Sequence, residues 1–281
     1  MATVGDLAAV TIDRPPAAGA GELLRAWRVR RRLSQLDLAC LAEVSTRHLS
    51  YVETGRSRPS RAFVLHIAEH LDVPLRGRNE LLIAAGYAPV YGERGLEAPE
   101  MAAVRQALDL VLGHQEPFPA LVVDRAWNLV RANEGALLLL EGVPPALLAG
   151  QVNMLRLSLH PDGLAGRVED FEGFSGHVLA RLRRQVALTG DPVLADLHDE
   201  LCGYPGVARA EPWTEHPGVV LPVRIRTDVG VLSFFTTAAT FGTAADVTLA
   251  ELTVESFFPA DAATDEAVRR LAARTATTAD R

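Results

Sequence analysis

The segment SQLDLACLAEVSTRHLSYVETGRSRPS, residues 34–60, decides the fold of the first part of the chain. Ala39 is small enough to let two helices cross closely, and Val44 supplies an apolar turn residue. Leu49 and Val52 are spaced to pack a second helix on the first. The segment therefore predicts two short helices joined by a tight turn, a helix-turn-helix.

Helical spacing continues on both sides of this segment. Ser34, Ser45 and Ser60 each stand where a helix would begin, and serine is a favoured N-cap. Gly55 follows the third helix, where a left-handed residue ends a helix well. The pattern predicts an all-α bundle of five helices. The first starts near residue 21, and the others span residues 35–41, 46–53, 60–71 and 76–85.

The remaining chain divides by composition. Residues 1–20 are rich in Ala, Gly and Pro and predict a flexible N-terminal arm. Residues 88–100 combine Pro, Gly and charge, which is typical of a linker. The predicted units are thus a bundle over residues 21–87, a second domain over residues 101–272 and a tail over residues 273–281.

Charge is distributed unevenly between the two predicted domains. All 28 basic residues are arginine, and the net charge is −7. Residues 21–87 contain eleven arginines and seven acidic residues, a balance of +4, whereas residues 99–281 contain fifteen arginines and twenty-four acidic residues, a balance of −9. A basic module followed by an acidic one is expected when only the first part touches nucleic acid.

The second domain mixes helix and strand patterns. A turn at Asp124-Arg125 separates two apolar runs, Asn133 can cap a following helix, and Gly190 can end another. The predicted helices include residues 101–112 and 177–189, and the predicted strands are residues 121–123, 127–130, 219–226, 231–237 and 249–258. We expect an α+β domain with a mainly antiparallel sheet.

Three features of the bundle together resemble one family: the S-Q-x-x-L-A opening at Ser34, the E-x-G at Glu53 and the later Pro59. It resembles the XRE family of regulators, the phage-repressor type of helix-turn-helix, over all five helices. The resemblance implies that the second helix lies across the DNA backbone and the third enters the major groove. A bundle that binds no DNA is the alternative, and the arginines placed where phosphates would lie count against it.

The resemblance also implies which residues contact DNA. Arg47 is the candidate for a base contact, because its fork matches guanine O6 and N7. Arg56 and Arg58 are expected to clamp phosphates, Gln35 to meet a phosphate, and Glu53 to pair within the bundle. The full predicted set is Gln35, Ser45, Thr46, Arg47, His48, Tyr51, Arg56 and Arg58.

Some residues of the bundle admit two interpretations. His48 and Tyr51 either contact bases or pack and touch the backbone. A run of arginines in the first helix is either a solvated face or a further phosphate patch: Arg28, Arg30, Arg31 and Arg32.

Three segments of the second domain, ALVVDRAWNLVRANEGA, NMLRLSLHPDGLAGR and ATFGTAADVTLAELTVESFFPAD, together resemble the C-terminal domain of MmyB-like regulators. That domain is related to PAS sensor domains, and the resemblance runs from about residue 99 to residue 272. It implies a sensor of a small amphipathic ligand, with a fatty acid as the leading candidate. The residues alone are compatible with either a pocket or a filled core.

Polar residues amid apolar neighbours are where a ligand's polar end could bind. Arg156 is the main candidate, and a salt bridge to an acidic residue elsewhere in the domain is its alternative role. The predicted ligand residues are Trp127, Asn133, Asn153, Arg156, His160 and Phe234. The alternative for the whole domain is a dimerisation or protein-interaction module without a ligand.

Other classes of protein find little support. The eight histidines are scattered along the chain, no C-x-x-C occurs, and GFSGH around Ser175 is not a nucleophile elbow. We therefore expect no enzyme, no metal and no cofactor. Cys40 and Cys202 are expected to be buried core residues in a reducing compartment.

The setting and partners follow from length and pattern. No apolar run reaches the ~18 residues of a membrane span, and the N-terminus lacks a signal-peptide layout, so a cytoplasmic protein is expected. A short recognition helix reads few base pairs, so we expect a homodimer on double-stranded DNA with an inverted-repeat operator. A protein-binding module that has lost DNA binding is a further alternative, disfavoured by the basic recognition helix.

Overall fold

The computed structural model describes residues 18–140, 142–207 and 222–279. The chain divides into two compact units, and the boundary along the chain lies between Val90 and Tyr91. Each unit is described separately. Most of the predicted N-terminal arm, the first residues of the predicted strand at 219–226 and the end of the predicted tail lie outside the described residues.

The first unit is a bundle of five helices, as predicted. One residue from each helix is fully buried at the centre: Leu24, Leu38, Leu49, Ile67 and Leu81. Because each helix contributes to one shared core, none of these short helices has to be stable alone. The helices are α1 (Ala20–Arg30), α2 (Gln35–Leu41), α3 (Thr46–Glu53), α4 (Arg61–His70) and α5 (Leu75–Ala84).

The predicted helix caps are confirmed. The Oγ atoms of Ser34, Ser45 and Ser60 accept hydrogen bonds from the backbone N–H groups of the third residues of α2, α3 and α4. Gly55 ends α3 with φ of 71°. Glu43, in the turn between α2 and α3, also has a positive φ, 52°, although it is not glycine.

The second unit contains seven helices and five strands within the described residues. In chain order they are α6 (Ala102–Gln115), β1 (Ala120–Val123), β2 (Leu129–Ala132), α7 (Glu134–Leu140), α8 (Met154–Leu159), α9 (Phe171–Thr189), α10 (Pro192–Cys202), β3 (Val223–Thr227), β4 (Gly230–Thr240), α11 (Val247–Ala250), β5 (Thr253–Pro259) and α12 (Ala262–Ala279).

The strands form one antiparallel sheet in the order β2-β1-β5-β4-β3. All four residues of β1 are buried, because helices cover both faces of the sheet at this strand. Leu121 and Val123 face the core shared with α8, α9 and α10, whereas Ala120 and Val122 face α6. The predicted α+β domain with an antiparallel sheet is confirmed.

Several element boundaries differ from the prediction for identifiable reasons. Trp127, predicted as strand, has φ of 68° and belongs to the turn before β2. The predicted strand at 249–258 is divided, because Asp246 caps the short helix α11 and pairing begins only at β5. Helix α9 begins earlier than predicted, at Phe171 after the cap Asp170, and ends at Gly190 as predicted.

Part of the predicted linker is held by the second unit. The backbone N–H of Val247 donates to the Gly92 carbonyl at 2.7 Å, and Arg94 Nη1 donates to Asp246 Oδ2 at 3.0 Å. A Cβ atom on Gly92 would lie 2.6 Å from Arg94 Nη1 and 2.9 Å from Asp246 Oδ2, so a larger residue would displace the ends of these two side chains. We call Gly92, Arg94, Asp246 and Val247 the linker clasp.

The two cysteines are free thiols, and neither is fully buried. Cys40 is exposed because Leu38 and Ala39 occupy the inward face of α2 and the next residue turns outward. Cys202 is half-buried, and burial raises the pKa of its thiol. The prediction of two buried core cysteines is wrong.

Candidate functional site

The first turns of α3 present polar side chains to solvent. Arg47 and His48 are exposed, and Thr46 and Tyr51 are half-buried. Arg47 Nε donates to Tyr51 Oη at 3.0 Å, and the His48 ring stands edge-on to Phe63 with centroids 4.8 Å apart. These contacts hold both side chains in place, so less rotamer freedom remains to be lost when they meet a partner.

A buried carboxylate connects α1, α2 and α3. Glu53, which is 5% exposed, accepts two hydrogen bonds from Arg28, at 2.7 and 2.8 Å, and one from Gln35 Nε2 at 2.7 Å. Burial by itself raises the pKa of Glu53, but the hydrogen bonds from Arg28 and Gln35 outweigh it and the pKa lies below its ordinary value. The expected pairing of Glu53 within the bundle is confirmed.

This network corrects the interpretation of Arg28 and refines that of Gln35. Arg28 is buried and paired, so it is neither a solvated residue nor a free phosphate contact. Gln35 lies at the first position of α2, and Glu53 fixes its amide group there. Gln35 thus has a role within the bundle, and its phosphate contact stays a prediction.

Two other arginines donate hydrogen bonds to carbonyl groups at helix C-termini. Arg31 donates to the Leu71 carbonyl at the end of α4 at 2.8 Å, and Arg58 donates to the Ala85 carbonyl at the end of α5 at 2.9 Å. Arg58 therefore has a contact within the bundle, but it is exposed, as is Arg56, so the phosphate contacts of both residues stay predictions.

The second unit encloses a cavity of about 110 Å³ between the sheet and α7, α8 and α9. All five strands contribute to its wall, and most of the lining is aliphatic or aromatic. The apolar lining residues are Leu121, Trp127, Leu129, Ala132, Ala136, Leu139, Leu140, Met154, Leu155, Leu164, Val168, Phe174, Val178, Val223, Ile225 and Phe257.

An ion pair lies at the polar side of this cavity. Arg181 Nη1 on α9 is 2.6 Å from Glu255 Oε1 on β5, and the Arg181 guanidinium carbon is 4.4 Å from the centre of the Trp127 ring. Trp127 Nε1 donates to Gln185 Oε1 at 2.9 Å. The other polar lining residues are Ser158, His177 and Thr236.

Of the six predicted ligand residues, Trp127 lines the cavity. Asn133 does not, because its buried side chain accepts from the N–H groups of Ala120 and Ala136 and donates to backbone carbonyls, so it joins β1 to the start of α7. Asn153 caps α8 and donates to the Ala126 carbonyl. Both amides are thus occupied by backbone groups, although the predicted capping role of Asn133 is confirmed.

Arg156, His160 and Phe234 also lie outside the cavity lining. Arg156 forms two-pronged hydrogen bonds with Glu200, which lowers the pKa of Glu200, and this salt bridge is the alternative role considered for it. The His160 ring packs edge-on to Tyr204, and Phe234 is fully buried in a separate cluster with α12. The predicted position of Arg156 at the polar end of the pocket is therefore corrected to Arg181.

Arg181 and Glu255 were not predicted from the sequence. One usable signal exists: TVESFFP places a single charged residue, Glu255, within β5. A buried carboxylate in a strand needs a cationic partner, and that partner would have been sought on a helix covering the sheet.

Neither a metal centre nor a membrane span is found among the described residues. No group of three or more His, Cys, Asp or Glu side chains there could hold a metal ion. In the same ranges, no helix is long and apolar enough to cross a membrane.

A helix-turn-helix bundle whose third helix exposes Arg47, followed by an α+β unit with an apolar cavity, is typical of a DNA-binding regulator with a ligand-sensing domain. Residues 20–81 match a family of helix-turn-helix domains, and residues 104–271 match the MmyB-like transcription regulator ligand binding domain. The second match covers more than half of the chain, so the chain belongs to the MmyB-like family. The predicted two-domain regulator is confirmed. A search of curated proteins finds no matching relative.

Proposed function

We propose that this chain is a sequence-specific transcriptional regulator that binds an inverted-repeat operator as a homodimer and releases or grips it in response to a small amphipathic ligand. DNA binding is assigned to residues 21–87 and sensing to residues 101–272, with residues 88–100 between them. The observation that carries the proposal is the pairing, in one chain, of an exposed basic helix N-terminus with an apolar cavity.

The DNA-reading role is assigned first to Arg47. It is exposed at the second position of α3, and Tyr51 holds its guanidinium from the side. Thr46 and His48 flank it, and the N-cap Ser45 and Gln35 face the backbone in this assignment. Arg56 and Arg58 are the assigned phosphate contacts of the loop after α3, and Arg58 also donates to the Ala85 carbonyl.

Arg47→Ala should weaken binding to the cognate operator by roughly 1–3 kcal/mol and leave binding to random DNA nearly unchanged, because a bidentate base contact is lost. Arg56→Ala is the matched control. It should weaken binding to both DNAs alike and reduce the salt slope by about one. Fluorescence anisotropy over a salt series measures both effects. Equal losses on the two DNAs for Arg47→Ala would place Arg47 among the phosphate contacts.

The ligand is expected to be mainly apolar and small. A cavity of about 110 Å³ is smaller than the engineered cavity of roughly 150 Å³ that binds benzene, so only a short chain is expected to fit without rearrangement. Longer chains, including the fatty acids that the family resemblance suggests, require the side chains of α7 or α9 to move. Such a movement gives the ligand different affinities for two conformations, which ligand control of DNA binding requires.

Titration with a homologous series of alkyl ligands tests this role. Each added methylene should contribute about 0.8 kcal/mol until the cavity is filled, and DNA affinity should change together with thermal stability. Leu155→Trp, which fills the cavity, should abolish both responses. If no length binds and the variant behaves as the wild type, the second unit is a dimerisation module without a ligand, which is the alternative function.

A further inference from the structure

The polar side of the cavity contains a carboxylate in the middle of the sheet. Glu255 lies on β5, directly opposite Leu121 on β1, and both side chains line the cavity. The Glu255 side chain is 13% exposed, so it has lost most of its hydration. A carboxylate in this position is stable only with a cation beside it, and Arg181 provides that cation at 2.6 Å.

Arg181 is fixed by a second contact. Its guanidinium lies over the Trp127 ring, whose own N–H is bonded to Gln185 on the next turn of α9. The ion pair is therefore held by one strand, one helix and the turn before β2. Its two charges cancel, and the polar end of the cavity offers a fixed acceptor and a fixed donor side by side.

Either kind of charged ligand meets a like charge at this end. A carboxylate placed near Arg181 also lies near Glu255, and an ammonium placed near Glu255 also lies near Arg181. Two like charges within about 4–6 Å repel each other, and the repulsion is stronger where the site excludes part of the water. An uncharged hydroxyl or amide can instead donate to Glu255 and accept from Arg181, without disturbing the pair.

We propose that the Arg181–Glu255 pair makes the cavity selective for ligands whose polar end is uncharged and both donates and accepts hydrogen bonds, such as an alcohol or a primary amide. The inference rests on the proposed ligand-binding function of the cavity. It assigns Arg181 and Glu255 the role of discriminating between polar ends, and it separates this chain from a sensor of free carboxylates.

The first experiment uses the full chain and three probes of equal length: hexanol, hexanoate and hexylamine. Calorimetric titration at neutral pH should give hexanol at least tenfold tighter binding than either charged probe, since about 1.4 kcal/mol of charge repulsion corresponds to tenfold. Tighter binding of hexanoate than of hexanol overturns the selectivity but leaves ligand sensing intact. Absence of binding by all three probes overturns both the selectivity and the sensing function.

Substitutions then test whether the pair is the cause. Glu255→Gln removes the negative charge, so hexanoate should gain at least tenfold in affinity while hexanol changes by less than about threefold. Arg181→Gln should produce the mirror result and favour hexylamine. The matched control is Glu200→Gln, which removes the carboxylate partner of Arg156 outside the cavity and should leave all three affinities unchanged.

The Glu200→Gln control also distinguishes Arg181 from Arg156 as the residue that binds the polar end of the ligand. A gain for hexanoate with Glu200→Gln, and none with Glu255→Gln, would mean that Arg156 binds the polar end and the proposal is wrong. Should Glu255→Gln fail to fold, the order of the three probes on the wild-type chain still decides the question.

Discussion

Glu43 stands in the turn of the helix-turn-helix with φ of 52°, where a Cβ atom is crowded by the backbone. Because glycine has no Cβ, Glu43→Gly should raise the free energy of unfolding by a few tenths of a kcal/mol to about 1 kcal/mol, the relief of strain being partly offset by the greater freedom of the unfolded chain. Urea denaturation measures the change.

Glu80→Gly is the matched control for this substitution. Glu80 is exposed within α5, where the backbone is helical, so the same change should lower the free energy of unfolding by about 1 kcal/mol. Two losses of similar size would show that Glu43 is not strained.

At the scale of single residues, local chemistry was predictable and distant partners were not. Ser34, Ser45, Ser60 and Gly55 act within three residues of their own position, and the sequence was sufficient to assign them. Arginine reaches much further: Arg58 meets a carbonyl 27 residues away. Whether such a side chain serves the fold or a ligand depends on which helix end the tertiary structure brings to it.

At the scale of elements, Glu53 on α3 connects three helices through its hydrogen bonds with Arg28 on α1 and Gln35 on α2. Glu53→Gln leaves Arg28 buried without a charged partner, so we expect a loss of about 3 kcal/mol of unfolding free energy at neutral pH. The pKa of Glu53 is lower in the folded chain than in the unfolded chain. Its ionised form therefore stabilises the fold above the ordinary Glu pKa of about 4.3, and the contribution is lost as pH falls through the lower folded-state value.

Denaturation at several pH values checks this prediction. The gap between wild type and Glu53→Gln should be widest at neutral pH and shrink in acid, whereas the exposed Glu69→Gln should match the wild type throughout. A gap that does not change with pH would mean that the ionisation of Glu53 contributes nothing to stability.

In the second unit, the type of each element, helix or strand, was predicted more often than its boundaries. Alternation identified the β3–β4 hairpin, but it could not show that Asp246 starts a helical turn just before β5. The cavity wall was harder still, because it combines five strands and three helices. Arg181 and Glu255 are 74 residues apart, and only the packing of α9 on the sheet brings them together.

At the scale of the whole molecule, the division of labour between the two units indicates how two copies would associate. The basic bundle is the part assigned to DNA, so the second unit is the expected dimer contact. We expect a dimer in light scattering at physiological salt and a footprint over two half-sites about one helical turn apart, roughly 34 Å. A monomer protecting one half-site under these conditions would be the contrary result.

The linker clasp has a consequence for building hybrid regulators. Gly92 and Arg94 lie in the segment that composition predicts as a linker. Their partners, Asp246 and Val247, nevertheless belong to the sensor domain. A graft of a foreign DNA reader that joins at residue 100 would discard half of this attachment. A junction between Val90 and Tyr91 transfers the sensor together with the linker residues that it binds. A hybrid biosensor should therefore be fused at this position.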